Sequence, residues 1–311
     1  MNNPTTPSAG ETETGQTRSG FVALIGAPNA GKSTLVNQLV GTKVSIVTHK
    51  VQTTRALVRG IFIENNAQIV LVDTPGIFRP KRRLDRAMVT TAWGGAKDAD
   101  IILVILDAQG GLNENAEALL ESMVNVRQKK VLVLNKVDRV DPPKLLELAQ
   151  KANEKVAFDR TFMISALNGS GCKDLAKFLA ETVPNGPWYY PEDQISDMPM
   201  RQLAAEITRE KLYLRLHEEL PYSSTVETER WEERKDGSVR IEQVIYVERE
   251  SQKKIVLGHK GETIKAIGQS ARKEISEILE QNAHLFLFVK VRENWGNDPE
   301  RYREMGLDFP K

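Results

Sequence analysis

The sequence predicts an α/β fold over its first 183 residues, followed by a smaller α+β domain. In the first part, short apolar runs alternate with amphipathic segments of helical period, which is typical of a mostly parallel sheet with helices on both faces. In the second part the order changes to helix, strand, strand, helix, strand. A chain of 311 residues is long enough for two domains with separate cores.

The elements of the first part follow one another as strand and helix. The run Phe21–Ile25 predicts a strand, Lys32–Val40 a helix and Gly41–Arg55 a polar connection. A short polar turn then predicts a hairpin of the strands Ala56–Ile63 and Gln68–Val72. Three more strands are predicted at Ile101–Leu106, Val131–Leu134 and Phe162–Ile164, with helices at Leu84–Lys97, Asn113–Arg127, Pro142–Lys151 and Lys173–Thr182.

Composition sets the boundaries of these two domains. Residues 1–18 contain almost no large apolar side chains and predict a disordered tail. Residues 184–200 carry four prolines and predict a semi-rigid linker between a first domain at 19–183 and a second at 201–311, which ends in a C-terminal tail. A net charge of +1 means that any affinity for nucleic acid must come from a local basic patch.

Cysteine and hydropathy patterns predict a cytoplasmic protein. The lone Cys172 excludes an internal disulfide framework and fits a buried or half-buried structural thiol in a reducing compartment. No apolar run approaches the ~20 residues of a membrane span, and the N-terminus lacks the apolar stretch of a signal peptide.

Four short motifs each follow a predicted strand of the first domain. They are GAPNAGKST at Gly26–Thr34, DTPG at Asp73–Gly76, NKVD at Asn135–Asp138 and SAL at Ser165–Leu167. Ligands of open α/β sheets bind at the carboxyl ends of the strands, where all four motifs fall. The set therefore predicts a GTPase. The alternative, chance loops in an unrelated α/β protein, does not explain four motifs in this order, and an ATPase has no use for NKVD.

The first two motifs predict the site for phosphates and metal. Gly26 and Gly31 let successive backbone N–H groups face the phosphates, while Lys32 reaches the β- and γ-phosphates. The Ser33 hydroxyl and the Asp73 carboxylate are predicted Mg²⁺ ligands, Asp73 through a water. The residues predicted to contact GTP here are Gly26, Asn29, Ala30, Gly31, Lys32, Ser33, Thr34, Asp73 and Gly76, whose N–H senses the γ-phosphate.

The last two motifs predict selection of guanine. The Asp138 carboxylate accepts hydrogen bonds from the guanine N1–H and exocyclic amine, and such pairing can reject the wrong base by about 10⁴–10⁵. The other predicted base contacts are Asn135, Lys136, Ser165, Ala166 and Leu167, with the backbone around Ala166 meeting the guanine carbonyl.

The second domain predicts a KH-like RNA-binding fold. Its predicted elements are a helix at Arg201–His217, strands at Ser223–Glu233 and Val239–Glu250, a helix reaching about Gln281, a strand at His284–Val291 and a helical turn at Pro299–Met305. A GHKG turn between two helices, Gly258–Gly261, lets a nucleic-acid backbone approach closely. From Lys253 to Lys273 there are six basic residues and one acid. The alternative is that these glycines only cap helices.

Several further motifs make the whole chain resemble the Era family of bacterial GTPases, over about residues 19–307. They are Gln52-Thr53-Thr54-Arg55, Pro191-Glu192-Asp193, Glu219–Ser223 and Ile255–Gly268. The resemblance implies a translation-factor-type G domain followed by a type II KH domain. It also implies binding to the 3′ end of small-subunit ribosomal RNA and help in maturing the small ribosomal subunit. We expect a cytoplasmic monomer with some peripheral association with the inner membrane.

The resemblance also assigns roles to individual residues. Thr54, with Thr53 as the alternative, is the switch-I Mg²⁺ ligand, so that the implied catalytic set is Lys32, Thr54, Asp73 and Gly76. Ile77 stands where many GTPases have a water-orienting glutamine, and an aliphatic side chain predicts slow intrinsic hydrolysis. Asn29 matches an asparagine that some related GTPases use to hold K⁺; the alternative is that it only stabilises the loop. The expected RNA contacts are Lys254, Gly258, His259, Lys260, Gly261, Lys265 and Arg272.

Two questions stay open at the level of sequence. The basic segment Arg79–Arg83 in the second switch is interpreted as a solvated mobile loop, with an arginine finger or an RNA contact as alternatives. The chain is interpreted as a GTP-controlled assembly factor, with an RNA chaperone whose nucleotide is mainly structural as the alternative.

Overall fold

The computed structural model describes residues 16–78, 80, 82–293 and 295–310. The first domain holds a six-stranded sheet in the order β2-β3-β1-β4-β5-β6, in which only β2 is antiparallel to its neighbour. Its elements are β1 (Arg18–Gly26), α1 (Lys32–Val40), β2 (Val58–Glu64), β3 (Ala67–Asp73), α2 (Arg83–Lys97), β4 (Ile101–Asp107), α3 (Glu114–Met123), β5 (Lys129–Asn135), α4 (Pro142–Lys155), β6 (Arg160–Ile164) and α5 (Cys172–Thr182). The predicted α/β architecture is confirmed.

Successive side chains of the central strands point to opposite faces of this sheet, and apolar residues cover both faces. Val22 and Leu24 of β1 lie in the cluster beneath α1 and α5, whereas Ala23 and Ile25 lie in the cluster beneath α3 and α4. All four side chains are fully buried. Because both faces are covered, the loops at the carboxyl ends of the strands are held on a rigid base.

The tail and the linker both make contacts with the sheet. β1 begins at Arg18, whose Nη1 donates to the carbonyls of Glu181 and Val183 at 2.8 and 3.0 Å, so the predicted tail is wrong at that residue. Residues 1–15 of that prediction lie outside the described residues. The linker runs along the edge of β2, where the Ile61 N–H donates to the carbonyl of Ile195 at 2.8 Å.

The second domain has the predicted smaller α+β fold. Its sheet has the order β7-β8-β9, with β8 and β9 parallel. Its elements are α6 (Met200–Arg215), β7 (Ser224–Glu233), β8 (Val239–Val247), α7 (Glu250–Leu257), α8 (Glu262–Leu279), β9 (Ala283–Val291) and α9 (Pro299–Glu304). Within the described ranges, no helix is long and apolar enough to cross a membrane.

One predicted strand of this domain is too long. The strand expected to reach Glu250 ends at Val247, and Glu250 instead begins α7. The Gln252 side chain accepts from the backbone N–H groups of Glu248 and Arg249, at 2.8 and 3.1 Å, and so caps the new helix.

Candidate functional site

The four motifs surround a cavity of about 440 Å³ at the carboxyl edge of the first sheet. Most predicted GTP contacts line it: Asn29, Gly31, Lys32, Ser33, Thr34, Gly76, Asn135, Lys136, Asp138, Ser165, Ala166 and Leu167. Thr54 also lines the cavity, whereas Gly26, Ala30 and Asp73 lie behind its wall and are buried. The structure therefore brings the predicted residues together at one place.

Lys32 is buried at the bottom of the phosphate loop. Its Nζ donates to the carbonyls of Gly26 and Ala27, both at 3.0 Å, which holds the amine beneath the loop. Burial lowers the pKa of Lys32 to about 8, although the nearby Asp73 carboxylate opposes the shift. An anion that entered the loop would favour the charged form of this amine.

Oxygen atoms converge where the predicted metal would be bound. The Ser33 hydroxyl donates to Asp73 Oδ2 at 2.6 Å and lies 2.9 Å from Thr54 Oγ1. Asp73 is fully buried, and burial raises the pKa of its carboxyl. Its other oxygen, Oδ1, has no hydrogen-bond partner among the described residues. A buried carboxylate oxygen without a partner, beside two hydroxyls, fits the all-oxygen ligand set that Mg²⁺ prefers.

The geometry distinguishes the two threonines of the first switch. Thr54 Oγ1 lies 3.5 Å from Asp73 Oδ2 as well as close to Ser33. Thr53 Oγ1 instead pairs with Thr48 Oγ1 at 2.6 Å and donates to the Lys50 carbonyl at 2.8 Å. The hydroxyl of Thr54, not that of Thr53, therefore belongs to the oxygen cluster.

Asn135 joins the phosphate loop to the guanine loops. Its Nδ2 donates to the Ala30 carbonyl at 2.9 Å, and its Oδ1 accepts from the Ala166 N–H at 2.9 Å. A Cβ on Gly31 would stand 2.1 Å from Asn135 Nδ2, and Gly31 has φ +96°. Only glycine suits that position, because it permits both the close approach and the left-handed backbone.

The base end of the cavity carries the predicted carboxylate. The Asp138 side chain is 29% exposed and is 3.8 Å from Arg139 Nε, which leaves it accessible to a ligand. Lys136 has φ +66° and forms an ion pair with Asp107 at 2.6 Å. That pair fixes the lysine stem along the wall of the pocket.

Gly76 lines the cavity, and Ile77 follows it with its side chain packed against the core. A Cβ on Gly76 would lie 2.8 Å from the backbone nitrogen of Pro28, so the second motif packs directly on the phosphate loop. The Ile77 N–H donates to the Gly26 carbonyl at 3.0 Å, and the Ile77 side chain packs against the core. That side chain offers no polar atom to a water.

The predicted RNA contacts form an exposed basic surface around the GHKG turn, between α7 and α8. Gly258 has φ +74° and ψ 177°, and a Cβ there would be 2.2 Å from Thr263 Oγ1. The side chains of Lys254, His259, Lys260, Lys265 and Arg272 are exposed, and Gly261 ends the turn with φ +82°. Over the described part of the chain, none of these four lysine and arginine side chains forms an ion pair.

Some relevant residues carry no signal in the sequence. The Ser45 hydroxyl donates to Asp73 Oδ2 at 2.7 Å, and nothing in the polar connection marks that serine. In the second switch, Arg82 pairs with Glu219 at 2.6 Å, and Arg83 lies over the Phe309 ring at 5.1 Å; both arginines are exposed. Arg79 and Lys81 of the predicted solvated loop lie outside the described residues.

Comparisons with known proteins define the class of protein. The family model of a 50S ribosome-binding GTPase matches residues 21–136, and a KH domain model matches residues 219–296. The chain is thus a GTPase with a C-terminal KH domain.

Relatives and solved structures then identify the family. The chain is 92% identical to GTPase Era of Brucella suis biovar 1 over 100% of both chains, and 76% identical to that of Rhizobium meliloti over 95% of this chain and 94% of the relative. Era in complex with MgGDPNP and nucleotides 1506–1542 of 16S ribosomal RNA aligns with a TM-score of 0.88 at 38% identity, over 93% of this chain and 99% of that chain. A variant of Aquifex aeolicus Era bound to GDP·AlF₄⁻ gives the same values. The chain belongs to the GTPase Era family.

Proposed function

We propose that this chain is a GTP-hydrolysing switch that binds the 3′ end of 16S ribosomal RNA and assists maturation of the small ribosomal subunit. The observation that carries the switch is the buried Oδ1 of Asp73, which has no hydrogen-bond partner among the described residues although Ser33 and Thr54 contact the same carboxylate, because a bound cation would satisfy this oxygen set. The RNA-binding part of the proposal is supported by the exposed basic surface around the GHKG turn and by the related Era structure with 16S ribosomal RNA.

The proposed chemistry uses groups already in place. Ser33, Thr54 and Asp73 would hold Mg²⁺, which neutralises developing charge on the phosphates when bound. Lys32 supplies positive charge beneath the phosphate loop, and the Gly76 N–H meets the γ-phosphate. Ile77 cannot orient the attacking water, so the proposed intrinsic hydrolysis is slow, with rates that a partner raises.

The test compares RNA affinity in two nucleotide states. We expect an RNA of the 16S 3′-end sequence to bind more tightly with Mg²⁺ and a non-hydrolysable GTP analogue than with GDP. Equal affinity in the two states, together with normal RNA binding, would favour the alternative of an RNA chaperone whose nucleotide is mainly structural. Crosslinking in cells followed by sequencing tests the target, since recovery of messenger or transfer RNA alone would contradict it.

We also propose that K⁺ accelerates hydrolysis through Asn29. The Asn29 Nδ2 donates to the His49 carbonyl at 2.9 Å, which leaves its amide oxygen available to a cation at the mouth of the phosphate loop. Hydrolysis rates in matched KCl and NaCl decide this; equal rates would leave Asn29 as a loop-stabilising residue only.

We propose a cytoplasmic monomer with peripheral association with the inner membrane, which rests on the family resemblance. Size-exclusion chromatography with light scattering tests the monomer. Salt washing of isolated membranes tests the association, because a peripherally bound protein is released by salt.

A further inference from the structure

The first switch, residues 43–55, contacts helix α6 of the KH domain through several of its residues. The Val47 N–H donates to Glu210 Oε1 at 2.9 Å, and Lys43 pairs with the same carboxylate at 2.6 Å. Lys50 Nζ donates to the Leu216 carbonyl just beyond α6. One backbone N–H group and two lysine side chains of the switch are thus bonded to the second domain.

Both chain neighbours of Thr54 are hydrogen-bonded to the KH domain. Arg209 of α6, 1% exposed, donates from Nη2 to the Thr53 carbonyl at 2.6 Å. Arg55, 5% exposed, enters the KH domain and donates to the Tyr213 hydroxyl at 2.7 Å and the Ser224 carbonyl at 3.0 Å. Hydrogen bonds between the domains therefore fix the chain on both sides of Thr54.

We propose that Arg209 is a positioning residue for the nucleotide site: the KH domain holds the Thr54 hydroxyl at the metal position. This inference rests on the proposed ligation of Mg²⁺ by Thr54. The GTP state alone requires that ligand, since switch loops are held by the γ-phosphate and its metal and are released on hydrolysis. Coupling between two sites is reciprocal, so the arrangement that binds GTP and the arrangement of the KH domain favour each other.

The two buried arginines of this interface differ in how their charges are compensated. Glu206 pairs with Arg209, but Arg55 bonds only neutral acceptors, and Nη1 of Arg209 has no partner among the described residues. Both arginines border an interdomain cavity of about 340 Å³. A buried charge without full compensation is costly. The rings of Tyr213 and Trp295 under Arg55, and of Tyr213 under Arg209, compensate part of this cost.

The test uses Arg209→Gln, with Arg201→Gln as its matched control. Arg201 lies on the same helix and borders the same cavity, but it donates to the Thr228 and Glu229 carbonyls and not to the switch. We expect Arg209→Gln to weaken Mg²⁺-dependent binding of a non-hydrolysable GTP analogue on the order of tenfold, because it removes a hydrogen bond from a charged donor. Affinity for GDP should stay within about twofold, and Arg201→Gln should change neither.

A double-mutant cycle separates positioning from general destabilisation. If Arg209 acts through Thr54, Arg209→Gln should have almost no further effect on analogue binding in a Thr54→Ala background. Additive losses, an equal loss of GDP affinity, or unchanged analogue binding would overturn the inference. If Arg209→Gln does not fold, Arg209→Lys gives the same comparison, since it keeps the charge but loses the guanidinium fork. A wild type that does not bind the analogue more tightly with Mg²⁺ would instead contradict the proposed function.

Discussion

The nucleotide cavity and the RNA surface differ in how their charged residues are buried and bonded. At the nucleotide site, Lys32, Asp73 and Asn135 are buried, and each is hydrogen-bonded to a neighbouring residue. Around the GHKG turn, Lys260 and Lys265 are exposed and form no ion pair within the described ranges. A preorganised cavity depends on single atoms, whereas an exposed basic surface spreads its affinity over many weak contacts. A single substitution should therefore change affinity strongly in the nucleotide cavity and weakly at the RNA surface.

The largest expected effect is a change of base preference at the cavity. Asp138→Asn replaces an acceptor-only carboxylate by an amide, so we expect preference to move from GTP toward xanthosine triphosphate, by about 10⁴-fold in the ratio of affinities. Competition binding of the two nucleotides measures this ratio. Asp141→Asn is the control, because Asp141 is exposed and, among the described residues, its carboxylate forms an ion pair with Lys144 at 3.4 Å. Unaltered selectivity in Asp138→Asn would refute the assigned base contact.

At the RNA surface, the two glycines of the turn should differ. Gly258→Ala would place a Cβ 2.2 Å from Thr263 Oγ1 in a backbone region that only glycine occupies easily, at a cost of about 1–3 kcal/mol. We expect RNA affinity to fall about tenfold or more. Gly261→Ala isolates the effect of crowding, since Gly261 is also an expected RNA contact with positive φ, but no heavy atom lies within 4 Å of its added Cβ. Filter binding and thermal unfolding of both variants check this, and equal behaviour would show that the crowding at Gly258 is unimportant.

The sequence predicted the site residues that motifs mark and missed those whose roles come from partners distant in the chain. The motifs located Lys32, Asp73 and Asp138 because chemistry demands those residue types after those strands. Ser45 and Arg209 could not be found, since a serine in a polar loop and an arginine in a helix are common. Their roles come from hydrogen bonds to residues far away in the sequence, Asp73 and Thr53. The end of β8 was missed because the prediction extended the strand past its last apolar residue, Val247, into charged residues where Gln252 caps α7.

A smaller effect should come from pH at the cavity. Burial holds the pKa of Lys32 at about 8 in the nucleotide-free protein, so the amine loses its proton above pH 8, while bound phosphates favour the charged form. Nucleotide affinity should be nearly constant below pH 8 and fall by up to about tenfold per pH unit above it, with proton uptake on binding. Calorimetric titration of GDP between pH 7 and 9.5, in buffers of different ionisation enthalpy, measures both. No proton uptake at pH 9 would show that Lys32 does not titrate in this range.

The smallest expected effect is at Lys260. Its side chain is exposed at the tip of the turn, with φ +49°, and removal of one phosphate contact should weaken RNA binding only a few-fold at moderate salt. Lys260→Ala should, however, reduce the slope of log affinity against log salt by about 0.7, the value for one single-strand phosphate contact. Lys260→Arg should keep the slope, and Lys235→Ala, in the exposed β7–β8 turn, should leave it unchanged. An unaltered slope in Lys260→Ala would remove this lysine from the interface and would confine the distributed basic surface to α7 and α8.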